Sequence, residues 1–355
     1  MRPAALPVRS AVAGMRLPPV PDARGESLLA MLWQLARTER LPPEALDSLA
    51  RRQLAHSLEY AWRETPSLRE HWLASGAAGA PGPESLGALP ILAAPGPPAE
   101  RHAGSGAPPA TADAPQPAAG WSRFLGRALR ARAALWHGLD WSGAWAAALP
   151  APARAGAAAL HAAFDAVFAC GPYLECEDGL DGAALRAWLE RAQPCCLFVG
   201  RAQCEALAAA APGAPAGAAA AGSSLPALWA WDWIPTDEER RDVRRRLGVP
   251  LITEVCVAGC GPSAVPCPEH GALHVQAEAV WVEIVDRDGR PVPAGGSGRL
   301  VLSALHDARF RDDEAALPPL RLDSGLWARQ GGACECGRTL PVIELLAPPG
   351  EEAGA

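Results

Sequence analysis

The sequence contains no lysine and no asparagine; all 32 of its basic residues are arginine. That excludes a lysine nucleophile and a lysine phosphate clamp. The surplus of Ala, Gly, Pro and Arg that accompanies this gap is that of GC-rich codon usage. Long apolar runs are missing too. The Ala-rich stretch 205–221 is broken by Pro212, Gly213, Pro215 and Gly217, so it cannot form a membrane helix. Met1–Pro19 has no continuous apolar core of the kind a secretory signal needs. The net charge is −7 and no basic stripe with interleaved aromatics occurs, which argues against nucleic acid as a partner. No Ser/His/Asp arrangement is present. The expectation is a cytoplasmic protein with no membrane and no nucleic-acid partner. Its ten cysteines are then thiols or metal ligands rather than disulfides.

What is present is a chain of 355 residues, long enough for more than one core. Residues 1–25 are Pro-rich and weakly periodic, a loose lead-in. Apolar residues at helical spacing predict helices over 26–37 and 44–63, with a short one over 68–73. A Pro/Gly-rich loop spans 93–120. Helical patterning resumes over 121–136, where Arg123, Arg127, Arg130 and Arg132 read as a solvated face. Further helices are expected over 160–168, 183–192 and 202–210, and short buried strands over 195–199 and 225–233. Trp229, Trp231 and Trp233 read as packed core. Thr236-Asp-Glu-Glu239 is a capping box that starts a helix running to Leu247, with Gly248 to close it. A strand follows over 249–254. This alternation of strand and helix predicts a parallel sheet with crossover helices. From residue 278 the pattern changes: 280–285, a turn at 286–289 and 298–303 read as an antiparallel meander.

Three groups of residues carry chemistry. Cys267 and His274 flank one turn, and Cys334 and Cys336 sit on another. Two short-range pairs on separate turns are what a tetrahedral Cys3His zinc site requires, with His270 an alternative to His274 and with Cys256 and Cys260 near enough to serve in reserve. Such a site has no open position, so its zinc is structural. Thr253 and Glu254 place a hydroxyl and a carboxylate at the carboxyl end of a parallel strand, where such sheets bind ligands. Gly104-Ser105-Gly106 could cradle phosphate through backbone N–H groups, although taken alone it reads as a flexible loop.

Taken together these stretches resemble the phenylacetate–CoA ligase family of adenylate-forming enzymes, and its zinc-bearing, capsule-biosynthesis-type relatives in particular. The resemblance rests on Leu54–Ala61 with Thr65-Pro66, on Leu86–Pro90, on 233–254, on Cys267–Val275 and Val282–Asp286, and on Gly298–Val301 with Cys334–Arg338. It implies the large N-terminal α/β domain of that family: a mostly parallel sheet with crossover helices, then an antiparallel β subdomain. The expected division is a lead-in at 1–25, an α/β region at 26–255, a zinc-pinned β subdomain at 256–346 and a tail at 347–355, without the C-terminal lid domain. The resemblance also implies ATP with Mg2+ as cofactor and a small carboxylic acid as substrate. Gly104, Ser105, Gly106, Thr253 and Glu254 would then bind nucleotide, and Thr253, Glu254 and Arg321 would be catalytic. Departures are as telling. The phosphate loop is shortened, and the aromatic-Gly expected before Thr253 is absent. Leu326 stands where an aspartate would hold the ribose, and the lid's lysine has no counterpart. Losing a charged hydrogen bond to ribose costs roughly 1.5–3 kcal/mol, and losing a contact to developing charge roughly 3–4 more. The expectation is an eroded relative that acts as a binding or scaffolding module with a protein partner. The alternative is an active carboxylate-activating enzyme completed by a separate lid protein.

Overall fold

The computed structural model describes residues 23–93, 121–211, 227–231, 233–257, 260–305 and 320–347. In chain order the elements are α1 (Ala23–Thr38), α2 (Pro43–Glu64), α3 (Pro66–Ala74), a 3-10 helix (Pro83–Ala88), β1 (Leu92–Ala93), α4 (Trp121–Trp136), β2 (Trp145–Ala148), α5 (Ala151–Phe168), β3 (Tyr173–Glu175), α6 (Gly182–Ala192), β4 (Cys196–Val199), α7 (Arg201–Ala209), β5 (Leu228–Ala230), α8 (Asp237–Leu247) and β6 (Leu251–Ile252). Among the described residues the remainder is all β: β7 (Val255–Val257), β8 (Gly261–Pro266), β9 (Leu273–Val275), β10 (Val280–Val285), β11 (Ser297–Ala304), β12 (Leu322–Gln330) and β13 (Val342–Leu346). These fall into two compact units, and each unit draws on separate stretches of chain. One comprises 1–34 and 130–253, the other 35–129 and 254–355. Among the described residues no helix is long and apolar enough to cross a membrane.

The first unit holds a parallel sheet of order β3-β2-β4-β5-β6. Short apolar runs such as Cys196-Leu-Phe-Val199 can form its interior because helices cover both faces. One face buries Ala146, Leu197, Val199 and Leu228 against Leu185 and Leu189 of α6, Leu207 of α7 and Val243 of α8. On the other, Trp145, Phe198 and Trp229 form a row with ring centroids 5.5 and 5.8 Å apart, and Phe164 of α5 packs on Trp145. The capping box forms as the sequence requires: Glu239 N–H reaches Thr236 Oγ1 at 3.2 Å while the Glu239 carboxylate accepts the Thr236 N–H. Gly248 closes α8 at φ +71°.

The second unit holds an antiparallel sheet, order β10-β11-β12-β13-β9-β8-β7, with β1 added in parallel to β12. Leu54, Leu58 and Ala61 of α2 and Leu68 and Trp72 of α3 pack with Leu86, Leu89, Leu305 and Leu320 as this unit's helical core. The expected α/β class, a parallel sheet with crossover helices and a separate antiparallel sheet, is thus the one observed. Two strands, β2 and β3, extend the parallel sheet beyond the three strands expected over 195–254.

Candidate functional site

The cysteine–histidine group is built by two neighbouring turns of the antiparallel sheet. β8 and β9 form a hairpin whose turn begins at Cys267. Cys267 N–H donates to the Ala272 carbonyl (2.7 Å), Gly271 N–H donates to the Cys267 carbonyl (2.8 Å), and Gly271 supplies the φ of +72° that reverses the chain. β9 carries His274, wholly buried, opposite Val265 of β8 and Val342 of β13. The connection from β12 to β13 carries Cys334 and Cys336 and turns at Gly337, φ +78°. β9 pairs with β13 in antiparallel register, His274 opposite Val342, so His274 lies beside the strand that follows the second turn. The Sγ atoms of Cys267, Cys334 and Cys336 and a ring nitrogen of His274 all lie within 4.8 Å of one another. A tetrahedral zinc, with bonds of about 2.3 Å to sulfur and 2.0–2.1 Å to nitrogen, needs ligand atoms somewhat under 4 Å apart.

The imidazole is already oriented. His274 Nδ1 lies 3.3 Å from the Leu340 carbonyl, which can only accept, so the proton sits on Nδ1. Nε2 is left with its lone pair, 3.4 Å from Cys336 Sγ. This is the carbonyl-backed arrangement in which metal-binding histidines are usually held. His270 is exposed on the turn and outside the group; of the two candidates it is His274 whose ring nitrogen lies among the three sulfurs. Cys256 and Cys260 are also outside it; Cys256 Sγ–H donates to Glu254 Oε1 at 3.2 Å. Burial pushes the Cys334 thiol up to about 11, against the hydrogen bond it accepts from the Cys336 N–H. Burial acts on Cys336 the same way. There the hydrogen bonds from the Arg338 backbone and guanidinium and from Cys334 and Cys267 outweigh it and hold the thiol below its ordinary value. Three soft sulfurs and one imidazole in a closed set suit a tetrahedral ion such as zinc.

The residues expected at the nucleotide are placed differently. Thr253 follows β6 and is wholly buried, and its Oγ1 has no hydrogen-bond partner among the described residues. Glu254 opens the second unit, buried, with Oε1 engaged by Cys256. Gly104, Ser105 and Gly106 lie outside the described residues.

Arg321 is buried at 2% exposure and has φ +50°, the left-handed region that only glycine enters freely. All five of its guanidinium N–H groups are used. Nε and Nη2 hold Glu283 in a bidentate pair (3.1 and 3.0 Å), Nη2 also donates to the Gly289 carbonyl (3.0 Å), and Nη1 donates to the carbonyls of Gly87 (3.1 Å) and Leu89. No donor is left over for a phosphate. The arginine pins the step that leads into β1, whose Leu92 N–H also donates to the Arg321 carbonyl (2.8 Å). Sequence reasoning missed Glu283, the carboxylate that takes this charge. Its signal was an acid in an otherwise apolar strand, Val280-Trp-Val-Glu-Ile-Val285.

Asp323 and Leu326 do not follow simple alternation. β12 carries two extra residues between the pairs Arg299↔Trp327 and Val301↔Asp323, a bulge turned by Gly325 at φ +74°. The Asp323 carboxylate takes Arg299 Nη1 (2.9 Å) and the Gly325 N–H (2.9 Å), so it too is satisfied within the chain.

No family model matches the chain, and no curated protein sequence does either. Solved structures do. The α/β architecture is similar to that of a solved acyl-CoA ligase. One match is an open conformation of 2-hydroxyisobutyryl-CoA ligase in complex with 2-HIB-AMP and CoA, with a TM-score of 0.64 at 18% identity over 87% of this chain and 70% of that one. The same ligase in its thioesterification state gives 0.64 at 18% identity over 86% and 68%. A weaker match is the O-succinylbenzoate CoA synthetase of Bacillus subtilis with ATP and magnesium, at 0.43 and 14% identity over 62% and 45%. At these identities the likeness is one of fold.

Proposed function

We propose that this protein keeps the scaffold of a phenylacetate–CoA ligase-like adenylate-forming domain, pinned by a structural zinc, and works as a binding or scaffolding pseudoenzyme in the cytoplasm. Zinc is held by Cys267, His274, Cys334 and Cys336 and fastens the β8–β9 turn to the β12–β13 connection. One observation carries the loss of activity: Arg321, the cation expected to serve catalysis, has every donor committed to Glu283 and to backbone carbonyls. Asp323, the nearest acid to the position where Leu326 replaces a ribose-binding aspartate, is likewise spent on Arg299. A scaffold of this kind acts through a protein partner rather than a turnover.

A second reading rests on Thr253. A fully buried hydroxyl without a partner costs about 1–3 kcal/mol, and this one stands at the carboxyl end of β6, where parallel sheets hold ligands. That favours an active enzyme in which Thr253 and Glu254 meet the phosphates and magnesium of ATP, with a small carboxylic acid as substrate, as 2-hydroxyisobutyryl-CoA ligase holds an acyl-adenylate. Calorimetric titration with Mg-ATP and an assay for acid-dependent pyrophosphate release decide between the two. The pseudoenzyme reading expects neither binding nor release. ATP bound in the micromolar range, or pyrophosphate released, overturns it. Zinc content by mass spectrometry, on protein purified without chelator, is expected at one ion per chain.

A further inference from the structure

Arg338 is the residue around the metal group whose surroundings its sequence position does not explain. It lies two residues after Cys336, its side chain 9% exposed, and its guanidinium donates to the Cys336 sulfur. Nε stands 3.9 Å from Glu39 Oε1, on a side chain only 7% exposed, and Nη1 stands 3.6 Å from Glu269 Oε1. Glu269 belongs to the turn that starts at Cys267. Glu39 belongs to the corner between α1 and α2, and that corner is tied again by Thr339, whose N–H donates to the Glu39 carbonyl at 2.8 Å and whose hydroxyl reaches the carbonyls of Glu39 and Leu41. One buried guanidinium thus touches three separate pieces of chain: both ligand-bearing turns and the helical corner.

Charge explains why such a group belongs there. Zinc with three thiolates and a neutral imidazole carries one net negative charge, on a group whose Cys267 and His274 are buried and whose Cys334 and Cys336 are half-buried. A buried charge left uncompensated is costly, and a planar guanidinium is the cation best suited to sharing donors between a sulfur and a carboxylate. From this, and resting on the zinc reading above, we infer that Arg338 is a positioning residue for the metal: it balances the charge on the Cys336 thiolate and couples metal occupancy to the Glu39–Leu41 corner.

The test uses the full chain as wild type, R338M, R338K and C336S. Zinc affinity is measured by competition with a chromophoric chelator, ligand geometry by the cobalt(II) spectrum, and stability by thermal unfolding with and without metal. R338M is expected to weaken zinc by about 10–100-fold, with a tetrahedral cobalt spectrum retained, a larger loss of stability with metal than without, and partial recovery in R338K. Equal affinity in R338M and wild type overturns the inference while the zinc reading stands on C336S. An equal loss of stability in metal-free and metal-bound R338M also overturns it, since the arginine would then serve the fold alone. If R338M does not fold, R338K decides, and an affinity equal to wild type counts against the inference. Wild type that takes up neither zinc nor cobalt sinks the zinc reading and this one with it.

Discussion

At the scale of single residues, the side chains with most at stake are those whose partners are fixed. Arg321 holds a left-handed backbone that costs on the order of 1–3 kcal/mol, and does so with five side-chain hydrogen bonds and a buried carboxylate. Removing one member of a buried ion pair strands the other, at about 3–5 kcal/mol. R321M should therefore lower unfolding free energy in urea by that amount, with the m-value unchanged; a midpoint within error of wild type would show the clamp to be idle. The two histidines near the metal group should separate cleanly. H274A is expected to lose zinc, and H270A, altered only on the exposed turn, to retain it, both read by metal content after gel filtration. Protons enter here as well. In the metal-free chain Cys334, raised to about 11 by burial, is protonated at neutral pH, and binding must expel that proton. Zinc affinity should then rise with pH through the neutral and alkaline range. Titration calorimetry in two buffers of different ionisation enthalpy should report proton release; an affinity flat in pH would contradict it.

At the scale of elements, what the sequence disclosed is what neighbours in sequence decide. The α8 capping box needs only Thr236 and Glu239, three residues apart, and forms as expected. T236A should cost about 1 kcal/mol by thermal unfolding, and no loss would mean the fold holds that helix end without its cap. The reverse case is β2. Trp145-Ala-Ala-Ala148 has the composition of a helix, yet it is a central strand, because β3 and β4 pair with it on either side and the row of Trp145, Phe198 and Trp229 buries its face. Tertiary partners override local propensity there, and nothing within four residues announces it. The same holds for the bulge between Asp323 and Trp327, which exists only relative to β11.

At the scale of the whole molecule, the parallel sheet and the metal pairs could be read serially, whereas the two interleaved units could not. Residues 35–129 join the C-terminal β region through pairs hundreds of residues apart: Leu92 with Leu322 on β1 and β12, Arg321 with Gly87, Thr339 with Glu39. Spacing could show that Cys267, His274, Cys334 and Cys336 might meet. It could not show that the meeting place also anchors the corner at Glu39–Leu41. That anchoring has a consequence for metal loss. On the zinc proposal, the ion binds the folded site and not the open chain, so its removal should withdraw stability from the segments that depend on the two turns. Those segments are identified by their backbone hydrogen bonds: Cys267 N–H to Ala272, Val275 N–H to Pro341 and Thr339 N–H to Glu39. In the first unit, bonds such as Leu197 N–H to Ala227 and Leu228 N–H to Pro250 have no part in the site. Hydrogen exchange after chelation should therefore speed up at amides 267, 275 and 339 and leave those of 197 and 228 near their original rates. Uniform acceleration across both groups would mean the metal supports the entire fold, and no change at 339 would mean the corner stands without it.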